Sequence, residues 1–376
     1  GLGRLHELPD QGAMVATLCH TETVTDPRKL GEVLDRAFAA MTSGRPGPAH
    51  IQISTNMMGQ PCAALPPPAA SGNAQPLPLG RMRSIAAALN NADKIVILAG
   101  GGTRGAETQL QRLAESLDAP VVLTTNARGA MHGHRLVVPA SPSLASVRKL
   151  IADADQVLAV GTEIGPTDYD AYVNGKLPDL SDMIRIDICA DQLARHPAKM
   201  PIKADAGAML AALLPMTLPA NRDGTARAEA TRQAARAELA ETSAPMPGQL
   251  KMVEAIRDTV PNAIIVGDST QPIYAANLYY DHDRPRGWFN AATGYGALGF
   301  GPGAAVGASI AAPGVPVICL IGDGGLQFSP GELRTAVDEN LPITYVVWNN
   351  SGFREIADSM RAAKTPVLGC DPSPLH

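Results

Sequence analysis

Two polar residues near the end of the 376-residue chain could together bind a metal ion. Asp323 follows the apolar run 315–321 (VPVICLI) within a Gly-Asp-Gly-Gly sequence, and Asn350 follows the apolar run 343–348 (ITYVVW). A carboxylate and an amide oxygen suit Mg²⁺, which keeps part of its octahedral shell for phosphate and water. Neighbouring glycines let backbone N–H groups approach phosphate oxygens closely. The pattern predicts a metal–diphosphate site, and the alternative is a structural turn that binds nothing.

The elements around these residues predict that they lie at one edge of a sheet. Short apolar runs that stop abruptly are typical of buried strands in a parallel sheet. Between the two runs, Ser329, Pro330 and Glu332 match a helix start, with Ser as N-cap, Pro at the first helical position and Glu three residues after the cap. Strand, turn, helix and strand form a βαβ unit, in which ligands bind at the carboxyl ends of the strands.

The stretch 322–352, which begins GDGG and ends NNSG, resembles the cofactor motif of thiamine diphosphate (ThDP) enzymes, in particular the acetolactate synthase and 2-oxo acid decarboxylase group. The resemblance implies an α/β protein with the ThDP-binding fold, in which doubly wound parallel-sheet domains follow one another. It also implies that Asp323, Asn350 and the backbone carbonyl of Gly352 are the Mg²⁺ ligands. The backbone at Gly324 and Gly325 would hold the diphosphate. A site for FAD or NAD is a poorer match, because such sites usually present GxGxxG.

A third strand, predicted at 263–266, ends in the polar sequence GDSTQ (267–271). Polar residues at the carboxyl end of a strand are candidates to face a ligand. By resemblance, Ser269, Thr270 and Gln271 correspond to the turn that touches the cofactor diphosphate. We favour this interpretation over an ordinary polar loop because of the motif that follows.

Residues 289–311 are small and rich in glycine, which predicts a helix that packs closely on the sheet. The family counterpart bends the cofactor. By resemblance, Gly296 would offer a carbonyl to the 4′-amino group and Leu298 a backbone N–H to the pyrimidine, with the Leu298 side chain wedged between the two rings. The bend makes proton removal from the thiazolium intramolecular.

Five segments are predicted along the chain. Residues 43–53 (SGRPGPAHIQI) resemble the end of the pyrimidine-binding domain of the family, although Ser54 and Asn56 replace its usual proline and aspartate. The segments are a C-terminal remnant of that domain (1–60), a proline- and alanine-rich linker (61–78), a central α/β domain (79–215), a connecting segment (216–248) and a truncated diphosphate- and Mg²⁺-binding domain (249–376). By this alignment the glutamate that activates the cofactor is absent, and neither Glu7 nor Glu32 is assigned its role.

The central segment alternates helices and apolar strands, as expected for a doubly wound domain. It contains three consecutive glycines (100–102) but no clear GxGxxG, and we favour a tight turn over a nucleotide site. In acetolactate synthases this domain binds FAD, whereas in many decarboxylase relatives it binds nothing. FAD is left open but not supported. The alanine-, arginine- and glutamate-rich run 226–239 predicts a solvated connecting helix.

Composition argues against several other classes of function. A hydrophobic content of 45% with 18% charged residues is typical of a soluble globular protein, and the net charge of −5 argues against binding to nucleic acid. The five cysteines are scattered without a CxxC pair, which indicates reduced thiols in a cytoplasm and no zinc site. No apolar run is long enough to span a membrane. By resemblance the protein would be a homodimer or homotetramer, because the family builds its active sites between subunits.

The resemblance implies decarboxylation of a small-molecule 2-oxo acid to an aldehyde and CO₂, a lyase reaction. LHELPDQ (5–11) and GDSTQ (267–271) are most similar to the 5-guanidino-2-oxopentanoate (2-ketoarginine) decarboxylases, whose product is 4-guanidinobutanal. A guanidinium group pairs best with a carboxylate, and Asp268 and Glu355 are the candidates. Their alternative is surface charge, or an ion pair of Glu355 with Arg354. Two other functions are an acetolactate synthase-like carboligase acting on pyruvate, and a non-catalytic homologue or fragment.

Overall fold

The computed structural model describes residues 3, 5, 8–62, 64–65, 79–169, 178–242 and 245–371. The chain forms two compact units, Gly1–Pro76 and Leu77–His376. Most of the predicted linker 61–78 lies outside the described residues, and so do His6 and Glu7 of the LHELPDQ sequence. The predicted segment boundaries therefore stay predictions.

The first unit contains a small parallel sheet of two strands. These strands pair in register from His20 opposite Ala49 to Val24 opposite Ile53. The crossover helix between them buries Val33 and Ala37. Its elements are β1 (His20–Val24), β2 (Ala49–Ile53), α1 (Gln11–Ala16), α2 (Leu30–Thr42) and α3 (Thr55–Met58). Strand β2 directly follows the SGRPGP sequence.

The second unit begins with a six-stranded parallel sheet in the order β5-β4-β3-β6-β7-β8. Most of its strands are buried along their whole length because helices cover both faces, as the continuous apolar runs predict. The strands are β3 (Ile95–Ala99), β4 (Val121–Leu123), β5 (Val137–Val138), β6 (Gln156–Val160), β7 (Ile184–Asp187) and β8 (Met200–Lys203). The helices are α4 (Leu79–Asn91), α5 (Glu107–Leu117), α6 (Ala145–Ala152), α7 (Pro166–Tyr169), α8 (Ala190–Arg195) and α9 (Ala206–Leu213).

The three consecutive glycines form a turn that packs tightly against the end of a neighbouring strand. A Cβ atom on Gly102 would lie 2.7 Å from the Cα of Gly161, just after β6, and a Cβ on Gly100 would collide with the Gly161 carbonyl. The backbone at both turns can approach this closely only without side chains. The predicted tight turn is confirmed.

The next two helices are α10 (Gly224–Glu241) and α11 (Met246–Thr259). The helix predicted at 226–239 is confirmed, but it is solvated on one side only. A stripe of α10 at helical spacing is buried, formed by Ala228, Thr231, Ala235 and Leu239. The Glu238 carboxylate of α10 also accepts hydrogen bonds from the backbone N–H groups of Ala145 and Ser146, at the start of α6. The alanines that suggested a solvated helix instead allow close packing.

A four-stranded parallel sheet in the order β10-β9-β11-β12 follows. Gly322 pairs with Trp348, and Leu320 pairs with Gly267, so three strands end at the same edge. The predicted βαβ unit is confirmed. Its strands are β9 (Ile264–Gly267), β10 (Trp288–Asn290), β11 (Val317–Gly322) and β12 (Ile343–Trp348). Its helices are α12 (Gln271–Tyr279), α13 (Phe300–Ala311), α14 (Asp323–Leu326), α15 (Gly331–Asp338) and α16 (Arg354–Ala362).

The predicted start of the helix after β11 needs correction. Helix α15 begins at Gly331, with Pro330 rather than Ser329 at the N-cap position. The Ser329 hydroxyl instead donates to the carbonyl of Gly299 at 2.8 Å. A distant backbone acceptor, which the local sequence cannot reveal, takes the side chain away from the helix.

Within the part of the chain that the structure describes, no helix is long and apolar enough to cross a membrane.

Candidate active site

A cavity of about 210 Å³ opens at the carboxyl edge of the four-stranded sheet. Its walls come from the ends of β9, β11 and β12, from the segment before α13 and from the first turn of α16. The structure brings together here every residue predicted to bind cofactor or metal: Ser269, Thr270, Gln271, Gly296, Leu298, Asp323, Gly324, Gly325, Asn350 and Gly352. Glu355 lines the same cavity. Asp268 does not.

Asp323 and Asn350 present oxygen atoms from adjacent strand ends. The Asn350 side-chain nitrogen Nδ2 donates to Oε1 of Gln271 at 3.2 Å. Its oxygen Oδ1 is buried and has no hydrogen-bond partner among the described residues. A buried amide oxygen without a partner is costly unless something absent from the protein chain satisfies it. A carboxylate and such an oxygen in one cavity fit a hard cation.

The described residues contain no cluster of ionisable side chains that would form a metal site of its own. Nowhere in that part of the chain do three or more His, Cys, Asp or Glu side chains group so that they could hold a metal ion. A cation at this cavity would rely on one carboxylate together with amide and carbonyl oxygens, which are ligands typical of Mg²⁺.

Two glycines after β11 are needed for close approach. A Cβ atom on Gly324 would lie 2.6 Å from the ring of Phe353, and one on Gly325 would lie 2.8 Å from the Asp268 carboxylate. The Asp268 carboxylate is fully buried, and backbone N–H groups hold it in place. Glycine therefore lets the backbone of this turn line the cavity.

Asp268 lies beneath the cavity and not in its wall. The residue is fully buried, and its carboxylate accepts hydrogen bonds from the backbone N–H groups of Ser269 at 2.9 Å and Gly301 at 2.8 Å. Burial raises the pKa of this carboxyl, and the backbone hydrogen bonds partly oppose the rise. The sequence expectation that Asp268 faces the ligand does not match this position, because the side chain turns back to the first turn of α13.

The segment before α13 is fixed at both ends. Gly296 and Gly299 adopt left-handed φ angles of 66° and 82°. The Gly296 N–H donates to the carbonyl of Ala291 at 3.0 Å, and the Gly299 carbonyl accepts from Ser329 at 2.8 Å. Between these anchors, Gly296 and Leu298 reach the cavity.

Glu355 is placed on the cavity wall by the first turn of α16. Although the residue is exposed to solvent, partial desolvation raises the pKa of its carboxyl, and the nearby Gln271 side chain opposes that rise. The alternative of an ion pair with Arg354 is wrong. Arg354 pairs with Asp371 at 2.6 Å and donates to the carbonyl of Asn350 at 3.0 Å.

Sequence reasoning missed several large side chains of this site, two of which are aromatic. Tyr274 and Phe353 both line the cavity. Tyr274 lies three residues after Gln271 on α12, and residues three apart share a helix face, so this spacing was a usable indication. Burial raises the pKa of its phenol. Phe353 directly follows the NNSG sequence, and no local pattern indicated which way its ring would point.

Family comparison agrees with the location of this cavity. Residues 82–213 match the family described as "Thiamine pyrophosphate enzyme, central domain", and residues 268–367 match "Thiamine pyrophosphate enzyme, C-terminal TPP binding domain". Together the two regions make up more than half of the chain. The chain belongs to the thiamine pyrophosphate enzyme family. Thiamine pyrophosphate is another name for thiamine diphosphate, so the resemblance found in the GDGG and NNSG sequences is confirmed.

Curated relatives in this thiamine pyrophosphate enzyme family include decarboxylases and synthases. The probable 2-ketoarginine decarboxylase AruI of Pseudomonas aeruginosa is 33% identical, covering 100% of this chain and 66% of that protein. The large subunits of acetolactate synthase isozymes 1 and 3 of Escherichia coli are 28% and 30% identical, covering 94% and 88% of this chain. The chain spans 61–66% of the length of these three relatives.

Proposed function

We propose that this protein decarboxylates 5-guanidino-2-oxopentanoate to 4-guanidinobutanal and CO₂ with thiamine diphosphate and Mg²⁺. The observation that carries the proposal is a carboxylate, Glu355, in the wall of the cavity that also contains Asp323 and Asn350. The similarity to a probable 2-ketoarginine decarboxylase supports the same substrate.

Different residues of the cavity would bind the metal ion, the diphosphate and the rings of the cofactor. Asp323, Asn350 and the Gly352 carbonyl would hold Mg²⁺, and the backbone at Gly324 and Gly325 would hold the diphosphate together with the turn 269–271. Gly296 and Leu298 would orient the ring system. When bound, the cofactor supplies an electron sink for the pair left behind by CO₂.

Glu355 would bind the cationic end of the substrate. A carboxylate can accept two parallel N–H bonds from a guanidinium group, which gives both energy and orientation. Desolvation at the cavity wall raises the pKa of the Glu355 carboxyl. The apolar side chains of Leu298 and Phe353 in the same cavity would exclude water and so favour loss of the substrate carboxylate.

The test is the variant Glu355→Gln, assayed with the guanidino substrate and with pyruvate. Loss of a hydrogen bond to a charged group costs about 1.5–3 kcal/mol, so KM for the guanidino substrate should rise about ten- to a hundredfold. KM for pyruvate should change far less, because pyruvate has no cationic end.

The matched control is Glu332→Gln. Glu332 also lies in the first turn of a helix that follows this sheet edge, but it does not line the cavity. It should leave both KM values unchanged. An equal rise for both substrates in Glu355→Gln would contradict the assignment of Glu355.

Carboligation of pyruvate is the second candidate function, and the similarity to two acetolactate synthase subunits favours it. Assays with pyruvate that separate aldehyde release from acetolactate formation distinguish the two reactions. A non-catalytic homologue or fragment is distinguished by calorimetry of thiamine diphosphate binding with and without Mg²⁺, since such a protein would retain no cofactor.

We further propose a homodimer or homotetramer in the cytoplasm. The five cysteines are all free, as reduced thiols would be. Light scattering coupled to gel filtration measures the assembly directly. A monomeric mass at micromolar concentration would overturn this part of the proposal.

A further inference from the structure

We infer that Gln271 is a positioning residue that fixes the orientation of the Asn350 carboxamide, so that Asn350 turns its oxygen and not its nitrogen to the metal. The inference rests on the metal role proposed above for Asn350. It assigns to Gln271 a task separate from contact with the diphosphate.

The proposed relay runs from Glu355 through Gln271 to Asn350. An ionised carboxylate can only accept hydrogen bonds, whereas a carboxamide has a donating and an accepting end. The side chain of Gln271 lies close enough to Glu355 to lower the pKa of its carboxyl. Because Oε1 of Gln271 accepts from Asn350 and Gln249, its nitrogen is the end left to face Glu355.

The oxygen of Gln271 then determines the orientation of Asn350. Oε1 accepts from Asn350 Nδ2 at 3.2 Å and from Gln249 Nε2 at 3.4 Å. Because an oxygen acceptor faces Asn350, the amide nitrogen of Asn350 is the end that turns towards Gln271. Its Oδ1 takes the opposite side, where it is buried without a hydrogen-bond partner among the described residues.

This orientation matters because the two ends of a carboxamide are nearly the same size. Packing alone discriminates poorly between them, and a flipped Asn350 would offer two N–H donors to a cation. The Asn350 backbone is held separately, since Arg354 Nε donates to its carbonyl at 3.0 Å. Gln271 thus supplies what the backbone contact cannot, which is the choice of side-chain end.

The test measures Mn²⁺ as a stand-in for Mg²⁺, with thiamine diphosphate present, by electron paramagnetic resonance of the free ion. Gln271→Met keeps the length of the side chain but removes both ends of the relay. Loss of a group that orients a metal ligand typically costs about 10- to 100-fold in metal affinity. We expect Mn²⁺ affinity to fall by this factor. The control is Gln233→Met on α10, which should keep the Mn²⁺ affinity of the unaltered protein.

Two variants of Glu355 separate the relay from other roles of Gln271. Glu355→Gln still offers an oxygen to Gln271, so Mn²⁺ affinity should stay within about threefold of the starting value. Glu355→Leu offers no acceptor, and Mn²⁺ affinity should fall with it. Circular dichroism and thermal unfolding of each variant establish that the protein is folded.

The outcomes are distinct. Unchanged Mn²⁺ affinity in Gln271→Met would overturn the inference. A loss in Gln271→Met without a loss in Glu355→Leu would also overturn it, because Gln271 would then act by touching the diphosphate alone. If the unaltered protein binds no Mn²⁺ with thiamine diphosphate, the proposed metal site fails instead.

Discussion

His282 shows how strongly burial acts on a single residue of this protein. The ring is fully buried. Its Nε2 lies 3.1 Å from the carbonyl of Ala263, which can only accept, so Nε2 carries the proton. Nδ1 lies 2.8 Å from the Tyr280 hydroxyl and accepts from it. Burial disfavours the charged ring and lowers the pKa of His282 from 6.5 to about 4.

This lowered pKa predicts a loss of stability in mild acid. As the pH falls from about 6.5 towards about 4, the unfolded chain binds a proton that the folded protein excludes. The free energy of unfolding should therefore drop by about 2 kcal/mol between about pH 7 and about pH 5 on account of this one residue. Urea unfolding of the unaltered protein and of His282→Gln at both pH values measures it.

Glutamine can keep both hydrogen bonds of His282 without titrating, so the variant should lose less stability in acid. His132→Gln is the control, because His132 lies more exposed beside Asp281 at 2.7 Å, and it should not reduce the loss. If His282→Gln loses as much as the unaltered protein, burial of this ring is not the cause.

At the scale of elements, one carboxylate connects the end of β9 to the start of α13. Asp268 accepts from the Gly301 N–H in the first turn of that helix. The segment with Gly296 and Leu298 leads directly into the helix. The position of two cavity residues therefore depends on a side chain that does not itself line the cavity.

Asp268→Asn should weaken both the helix cap and cofactor binding. The amide keeps one oxygen, and its nitrogen would face backbone donors, so we expect a loss of about 1–2 kcal/mol in the free energy of unfolding. Thiamine diphosphate affinity should fall as well, because the segment carrying Gly296 and Leu298 loses its anchor. Thermal unfolding and titration calorimetry provide the two measurements.

Asp205→Asn is a matched control for this change. Asp205 caps α9 by accepting from the Ala208 N–H at 2.9 Å, in the part of the chain that contains the six-stranded sheet. It should lower stability by a similar amount and leave cofactor affinity unchanged. Equal cofactor affinity in the two variants would show that Asp268 does not hold the cavity segment.

At the scale of the molecule, a buried arginine joins the six-stranded sheet to helix α12. Arg128 is 2% exposed and donates to the carbonyls of Leu123 at 3.2 Å and Pro139 at 2.6 Å on one side. On the other side it donates to Asn277 at 3.0 Å and to Tyr280, near the end of α12. Burial lowers its pKa to about 10, so it stays charged at neutral pH.

Arg128→Met should destabilise this unit by roughly 3–5 kcal/mol, because buried carbonyls lose their donors. Helix α12 begins at Gln271 in the cavity, so its amides should also exchange hydrogen faster. Denaturant unfolding and hydrogen exchange measure the two effects.

Arg128→Lys keeps the charge but has fewer donors. Its free energy of unfolding should therefore lie between those of Arg128→Met and the unaltered protein. If Arg128→Met unfolds at the same denaturant concentration as the unaltered protein, the arginine does not stabilise the contact between the six-stranded sheet and α12.

Much of the fold could be predicted from local pattern. The apolar run 343–348 is a strand with those bounds, and the strand predicted at 263–266 lies at 264–267. Such elements follow from the spacing of apolar residues and from the glycines that stop them. The grouping of Asp323 with Asn350 followed as well, since adjacent parallel strands end at a common edge.

The sequence by itself determined which strand ends meet and which residue types they carry there. Only the tertiary structure decided where the side chains point. Asp268 turns to Gly301, 33 positions later, Ser329 turns to Gly299, and the stripe of α10 is buried. Each outcome depends on a partner that is distant along the chain. Hydrogen bonds and burial are set by such partners in space, whereas periodicity reports only on neighbours in sequence.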